Sequence, residues 1–330
     1  MKRHVIRSQD FTPEFLARIF DRADQFRRMM EHPAESKKLK KRLKGRLINV
    51  LFYEPSTRTM ASFVDGAHHL GATVFCTADA GLTSSTVKGE TFAHTIRMFN
   101  GYRPDVLVVR HKEEGRLAEG ALLLNKIGSR THLINAGDGP GQHPTQALLD
   151  VYTLHQQLGS VDGVKIMMGG DLLNGRTVRS LAYLLSKYKD VHITFAAPKQ
   201  LQIGSDILRH LDEHCTEYTC VGEDFRNLLP AQHAVYWTRL QLERIVHEDI
   251  ETQKKQREEL ARIQKDCFCI DAAEMALMRP DAILMHPLPI NNEVREISLV
   301  AEDDPRCVIF LQAENGMYVR MALLDMLVNG

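Results

Sequence analysis

Short apolar runs alternate with amphipathic helical patterns along most of this chain, and that alternation excludes most folds. Strands are predicted over 46–52, 72–77, 105–109 and 131–135, with helices near 58–70, 89–100 and 114–126. A glycine-rich turn, Gly137-Asp-Gly-Pro-Gly141, interrupts the pattern, and a helix starting near Pro144 bridges to a second half. There strands are predicted at 164–169, 191–196, 217–221, 233–238 and 282–285, with helices near 175–187, 199–213 and 271–278. Such alternation calls for parallel strands joined by crossover helices. The expected fold class is therefore α/β, and 330 residues suffice for two domains, each a parallel β-sheet flanked by helices. Residues 11–31 read as a further helix, with Phe15, Leu16, Ile19, Phe20, Ala23 and Phe26 on one side. Residues 241–265 are charged and weakly periodic, and are expected to form a mobile surface excursion with some helix. The last pattern, 313–328, is helical through Met317, Met321, Leu324 and Leu327, but periodicity does not say where it packs.

Composition narrows the partners. The formal net charge is zero, which gives no general attraction for nucleic acid or an anionic membrane. The basic run Lys37 to Lys44 then reads as a solvated helix end or loop. No apolar run approaches the roughly 20 residues that span a bilayer, and MKRHVIRSQDF lacks the apolar core of a secretory signal. Cys76, Cys215, Cys220, Cys267, Cys269 and Cys307 are scattered, as expected of reduced thiols in a cytoplasmic protein. Cys267-Phe-Cys269 has no second Cys or His pair nearby and is not read as a metal site.

The chemistry starts at Phe52-Tyr-Glu-Pro-Ser-Thr-Arg-Thr59. An apolar run, Leu47 to Phe52, enters it, and a helical pattern through Met60, Phe63, Val64, Ala67 and Leu70 leaves it. Ser56 and Thr57 thus stand where a helix begins. Its first amides lack intrahelical partners and its dipole is positive there, which suits a phosphate. Arg58 adds a fork of donors and Thr59 a hydroxyl. In open parallel sheets ligands bind at the carboxyl ends of strands. The residues that follow predicted strands include Arg110 and His111, His143-Pro-Thr-Gln146, Asp171 and Arg176, Thr238-Arg239 and Gln241, and His286-Pro-Leu-Pro289. Arg58, Arg110, Arg176 and Arg239 deliver four cations, which implies substrates with several negative charges, such as phosphate plus carboxylates. Gly169-Gly-Asp171 lacks the full dinucleotide fingerprint.

FYEPSTRT (52–59), VKGE (87–90), VVRH (108–111), GDGPGQHPTQALLD (137–150), GGDLLNGRTVRSL (169–181), TRLQLER (238–244), HPLP (286–289) and ENGMYVRMALL (314–324) together resemble the aspartate/ornithine carbamoyltransferase family, in its order and over nearly the whole chain. Pro-Thr-Gln after His143, Thr238-Arg-Leu-Gln241 and Pro287 after His286 are similar to the aspartate-using branch. The resemblance implies a carbamoyl-phosphate-binding domain, 1–143 plus about 300–330, with the C-terminal helix returning to it. It implies an aspartate-binding domain at 144–299. The reaction implied is carbamoyl phosphate plus L-aspartate to N-carbamoyl-L-aspartate plus phosphate, in pyrimidine biosynthesis, with no metal or cofactor. Ser56, Thr57 and Arg58 would hold the phosphate. Thr59, Arg110 and His143 would donate to the carbonyl oxygen as it becomes an oxyanion. Gln146, with a carbonyl near Leu288, would fix the carbamoyl amino group. Arg176, Arg239 and Gln241 would grip the aspartate carboxylates. Ser84 and Lys88 match a loop that completes the site of a neighbouring subunit, implying a homotrimer with shared sites. Glu54 matches a carboxylate that engages second-domain arginines on closure, here Arg176 and Arg244.

Three positions depart from the family pattern. Ile290 stands where the aspartate branch commonly has arginine, which removes a positive charge beside the acceptor pocket. Val87 and His94 replace residues that are commonly polar or basic and acidic, respectively. Two alternatives follow: a carbamoyltransferase for another amino-acid acceptor, and a catalytically weak trimer kept for assembly or regulation. Some relatives bind separate regulatory or dihydroorotase chains, but no stretch here identifies such an interface.

Overall fold

A computed structural model describes residues 3–78, 80, 88–244, 249–291 and 295–330. The chain separates into two compact units, Met1–Tyr152 with Glu314–Gly330, and Thr153–Ala313. The exchanges at 152/153 and 313/314 differ from the sequence-based boundaries at 143/144 and near 300. Both fall inside continuous helices, α6 (Pro144–Leu158) and α12 (Ile309–Asn329), where no loop marks the change.

The first unit holds β1 (Leu47–Phe52), β2 (Thr73–Thr77), β3 (Val106–His111) and β4 (His132–Asp138), all parallel, in the order β2-β1-β3-β4. Their crossovers are α3 (Thr57–His69), α4 (Phe92–Gly101) and α5 (Arg116–Lys126). Leu107 and Val109 alternate onto one face and pack with Leu51, Leu133, Ile96, Leu117 and Leu124. Val5 bridges Ile134 in parallel and covers the outer edge of β4. The N-terminal helix α1 (Pro13–Glu31) buries Leu16, Ile19, Phe20, Ala23 and Phe26, as its periodicity predicts, and Thr12 caps it. The basic run is the end of α2 (Pro33–Leu39) and the turns that follow, with Leu39 and Leu43 buried beneath its lysines.

The C-terminal helix α12 belongs to this first unit from Glu314 onward, as the resemblance implied. It lies close to α3: a Cβ at Gly66 would come within 3.0 Å of Met321 Cγ and 3.7 Å of the Met317 carbonyl.

The second unit is a five-stranded parallel sheet in the order β7-β6-β5-β8-β9. Its strands are β5 (Lys165–Gly169), β6 (His192–Ala196), β7 (Glu217–Val221), β8 (Ala234–Trp237) and β9 (Ile283–Met285). Helices α7 (Arg176–Leu185) and α8 (Ser205–Glu213) link the first three strands, α10 (Ala272–Leu277) precedes β9, and the short α11 (Leu299–Glu302) follows it. Trp237 is fully buried among Phe225, Phe268, Ile270 and Leu284, and its indole nitrogen donates to the Phe268 carbonyl at 2.8 Å. One expectation changes here. Residues 250–267 form a regular 18-residue helix, α9, capped by Asp249, not an excursion with some helix. It buries only Leu260 and Gln264, so it carries almost no apolar stripe to be read.

Strand order locates the functional edge of each sheet. In the first, the crossovers run from β1 out to β2 and then return across β1 to β3, so the order reverses between β1 and β3. In the second, β5-β6-β7 run one way and β8-β9 the other, so the order reverses between β5 and β8. Such reversal points open a crevice at the strands' carboxyl ends.

Candidate active site

In the first unit, Ser56-Thr-Arg-Thr59 follows β1 and Arg110 lies at the end of β3, on the two sides of the reversal. Phe52 and Arg110 are register partners. Ser56 is the N-cap of α3, extended at φ −161° and ψ 99°, yet its side chain caps nothing, and the first turn holds no acid. By contrast, Thr91, Asp249 and Asp271 each cap their own helices. The ordinary capping role of Ser56 is therefore absent, and the first amides of α3 have no partner within the helix. Arg58 is exposed at this tip and has no acidic partner among the described residues; partial desolvation lowers its pKa.

A support that the sequence did not suggest lies behind this turn. Thr59 is buried, and its carbonyl accepts from Ser62 Oγ at 2.9 Å. Ser62 Oγ in turn accepts from Arg320 of α12. The Arg320 guanidinium sits 5.2 Å from the centre of the Phe63 ring. Burial pushes its pKa down to about 10, opposed by Asp150, so it remains a cation at neutral pH. The last helix thus fixes the first turn of α3 from below.

Arg110 is buried and paired with Glu54 at 2.8 Å. The glycine-rich turn makes room for it: Gly137 has φ +134°, and a Cβ there would lie 2.8 Å from Arg110 Nη1. Gly139 is likewise obligatory, with φ +52° and an added Cβ 2.4 Å from the Lys112 carbonyl. The turn ends at His143, which is buried and whose carbonyl receives the first amides of α6, from Gln146 at 2.9 Å and Ala147 at 3.2 Å. Gln146 is oriented by a 2.9 Å bond from its amide nitrogen to Asp150. His111 packs between Tyr53 and Phe92, where burial lowers its pKa. Lys88 is exposed just before α4; Ser84 and Val87 lie outside the described residues.

The second unit gathers a cationic set at its own reversal point. Arg176 opens α7 after β5, and Arg239 and Gln241 follow β8. Two buried carboxylates hold these loops. Asp171 accepts from the Asn174 amide at 3.0 Å and the Gln241 amide at 3.1 Å. Burial raises its pKa, and those bonds oppose the rise. Glu296 accepts from the Leu240 amide at 3.1 Å and the Asn291 amide at 3.4 Å. Burial drives its pKa up to about 7, with these amides and Arg239 opposing. Glu296 therefore ties the Arg239 loop to the His286–Asn291 loop. In that second loop Leu288 adopts φ +57° and donates its amide to His286 Nδ1 at 2.8 Å. Ile290 packs against the core of this unit. Arg244 donates to the Asn174 carbonyl at 3.2 Å. In this structure Glu54 thus meets Arg110, and Arg244 meets Asn174, each within its own unit.

Comparison with known proteins agrees with both halves. The model for the aspartate/ornithine carbamoyltransferase carbamoyl-P binding domain matches residues 3–156, and that for the Asp/Orn binding domain matches residues 162–327. The chain is 42% identical to an aspartate carbamoyltransferase of Arabidopsis thaliana over 326 residues, covering 99% of this chain and 78% of that protein. It is 38% identical to the multifunctional protein CAD of Squalus acanthias, covering 98% of this chain but 13% of that one. Among solved structures, aspartate transcarbamoylase of Trypanosoma cruzi, in complex with carbamoyl phosphate and aspartate, superposes with a TM-score of 0.85 at 34% identity, over 98% of this chain and 95% of that one. The catalytic subunit of M. jannaschii aspartate transcarbamoylase gives 0.84 at 35% identity, over 99% and 98%. Two domain models matched in order, on a fold whose sheets each carry their ligand-type residues at the reversal point, establish that the chain belongs to the aspartate/ornithine carbamoyltransferase family.

Proposed function

We propose that this chain is an aspartate carbamoyltransferase, transferring the carbamoyl group of carbamoyl phosphate to the amine of L-aspartate. The observation that carries the reading is the uncapped start of α3, with Arg58 unpaired by any described acid and Arg110 on the adjoining strand. Ser56, Thr57 and Arg58 receive the phosphate at the positive end of the helix. Thr59, Arg110 and His143 donate to the carbonyl oxygen as negative charge develops there, the point at which preorganised donors lower a barrier most. Arg110 exchanges Glu54 for substrate, and Glu54 then engages Arg176 and Arg244. Gln146 and the Leu288 carbonyl orient the carbamoyl amino group. Arg176, Arg239 and Gln241 hold the two carboxylates of aspartate. Its neutral amine attacks the carbonyl carbon, the C–O bond to phosphate breaks, and the departing phosphate takes the proton. The relative from Trypanosoma cruzi is known in complex with carbamoyl aspartate and phosphate, the products this scheme yields.

Ser84 and Lys88 complete a neighbour's site in a homotrimer, and the product feeds pyrimidine biosynthesis. All six cysteines are free thiols, which favours a reducing compartment such as the cytoplasm, although the plant relatives are named chloroplastic. No described helix is long and apolar enough to cross a membrane. Ile290 supports a second reading, an acceptor with less charge than aspartate, because the side chain at this position is apolar and packed. A carbamoyl-phosphate-dependent assay across aspartate, ornithine and related amines decides between them. Product with aspartate alone is expected. Turnover confined to another amine establishes the second reading, and a folded chain inactive with all acceptors removes both.

A further inference from the structure

The helix α8 ends in a cluster that the transfer reaction does not use. His210, Glu213 and His214 stand one turn apart on one face, and a donor atom from each lies within 4.8 Å of the others. Each ring has an oxygen partner on one of its nitrogens. Ser186 Oγ, which is within 3.0 Å of the Tyr183 carbonyl, also lies 3.0 Å from His210 Nε2. His214 Nδ1 donates to the His210 carbonyl at 2.8 Å, which leaves its lone pair on Nε2. An oxygen partner on one ring nitrogen is the arrangement that orients histidine ligands around metals, and the His210 and His214 ring centroids lie 4.0 Å apart, the planes tilted by 32°. The Tyr183 ring meets His210 edge-on at 4.6 Å and sets its plane.

The surroundings favour a cation. The carbonyl end of a helix carries partial negative charge, and the Glu213 carboxylate offsets the nearby Lys187. Glu213 and His214 are exposed, so an ion has open access. Two neutral imidazoles and a carboxylate suit a borderline divalent transition ion better than a hard one. Because α8 runs into β7, its end lies at the amino edge of the sheet, opposite the edge that carries Arg176, Arg239 and Gln241.

We propose that His210, Glu213 and His214 form a binding site for a divalent transition cation such as Zn2+, with water completing the shell. Occupancy staples the last turn of α8 and stabilises the folded chain without entering the reaction. The test is calorimetric titration of the EDTA-treated full-length protein with Zn2+, paired with thermal melts. One saturable site per chain and a raised melting temperature are expected. Exposed His214→Ala should fold as the parent does and lower the affinity about tenfold or more. Glu213→Gln should weaken binding, and Mg2+ should leave the melt unmoved. Cys215→Ser, which removes the adjacent exposed thiol, should bind as the parent does. Undiminished Zn2+ affinity in folded His214→Ala, loss in Cys215→Ser alone, or no saturable binding overturns the proposal.

Discussion

Glu296 does at residue scale what no motif announces: it holds two receptor loops by their backbone amides. Its pKa is pushed up from 4.5 to about 7 by burial. Between those values the folded chain keeps a proton that the unfolded chain has released. Stability therefore falls as pH rises through that window, by on the order of 3 kcal/mol at most. Arg239 is the cation facing the group, and it limits the effect. Glu296→Gln carries no titrating proton. Urea midpoints at pH 5.5 and 7.5 should converge in the variant relative to the parent, and equal pH slopes in the two proteins would count against the buried carboxylate. Asp171 was visible in the sequence as a polar residue after a strand. Glu296 was not, because the amide it accepts from at Leu240 is 56 positions away. Arg320 was hidden likewise, since its partner Ser62 is 258 positions away.

At the scale of elements, each sheet places its ligand-type residues by close backbone packing rather than by the loops alone. Gly169 ends β5 and is the register partner of Trp237 on β8. A Cβ at Gly169 would lie 2.1 Å from the Trp237 ring, which is fully buried and tethered to Phe268. Gly169→Ala must therefore displace the indole or spread the two strands at the reversal point. A loss of about 3 kcal/mol is expected. Trp237 is the only tryptophan, so its fluorescence during denaturation reports this site directly. An unchanged midpoint would show that the strands yield without cost. Helix α9 shows where pattern reading stops: with two residues buried in eighteen, its helicity rests on Asp249 capping and on charged pairs such as Lys255–Glu251 at 3.0 Å.

At the scale of the whole molecule, the proposed assembly makes a sharp expectation. Lys88→Ala and His143→Ala chains should each be nearly inactive, with losses of about a hundredfold or more where an oxyanion donor is removed. Mixed and reassociated, they should regain part of the parental rate, because some sites then draw every residue from intact copies. Absence of any recovery, with trimers confirmed by light scattering, would assign Lys88 to its own subunit. What the sequence determined by itself was local and periodic. It specified nearly every strand, the helix start at Ser56, the turn at Gly137 and the four arginines, because propensity, capping and glycine geometry act over a few residues. Tertiary structure alone decided three matters. It set the strand orders, and so put Arg110 beside the α3 tip. It packed α12 against α3, where Arg320 braces Ser62. It also buried Asp171 and Glu296 under the loops they organise. These outcomes depend on which distant surfaces bury one another, and apolar burial is non-directional: it marks a residue for the interior without naming its neighbour.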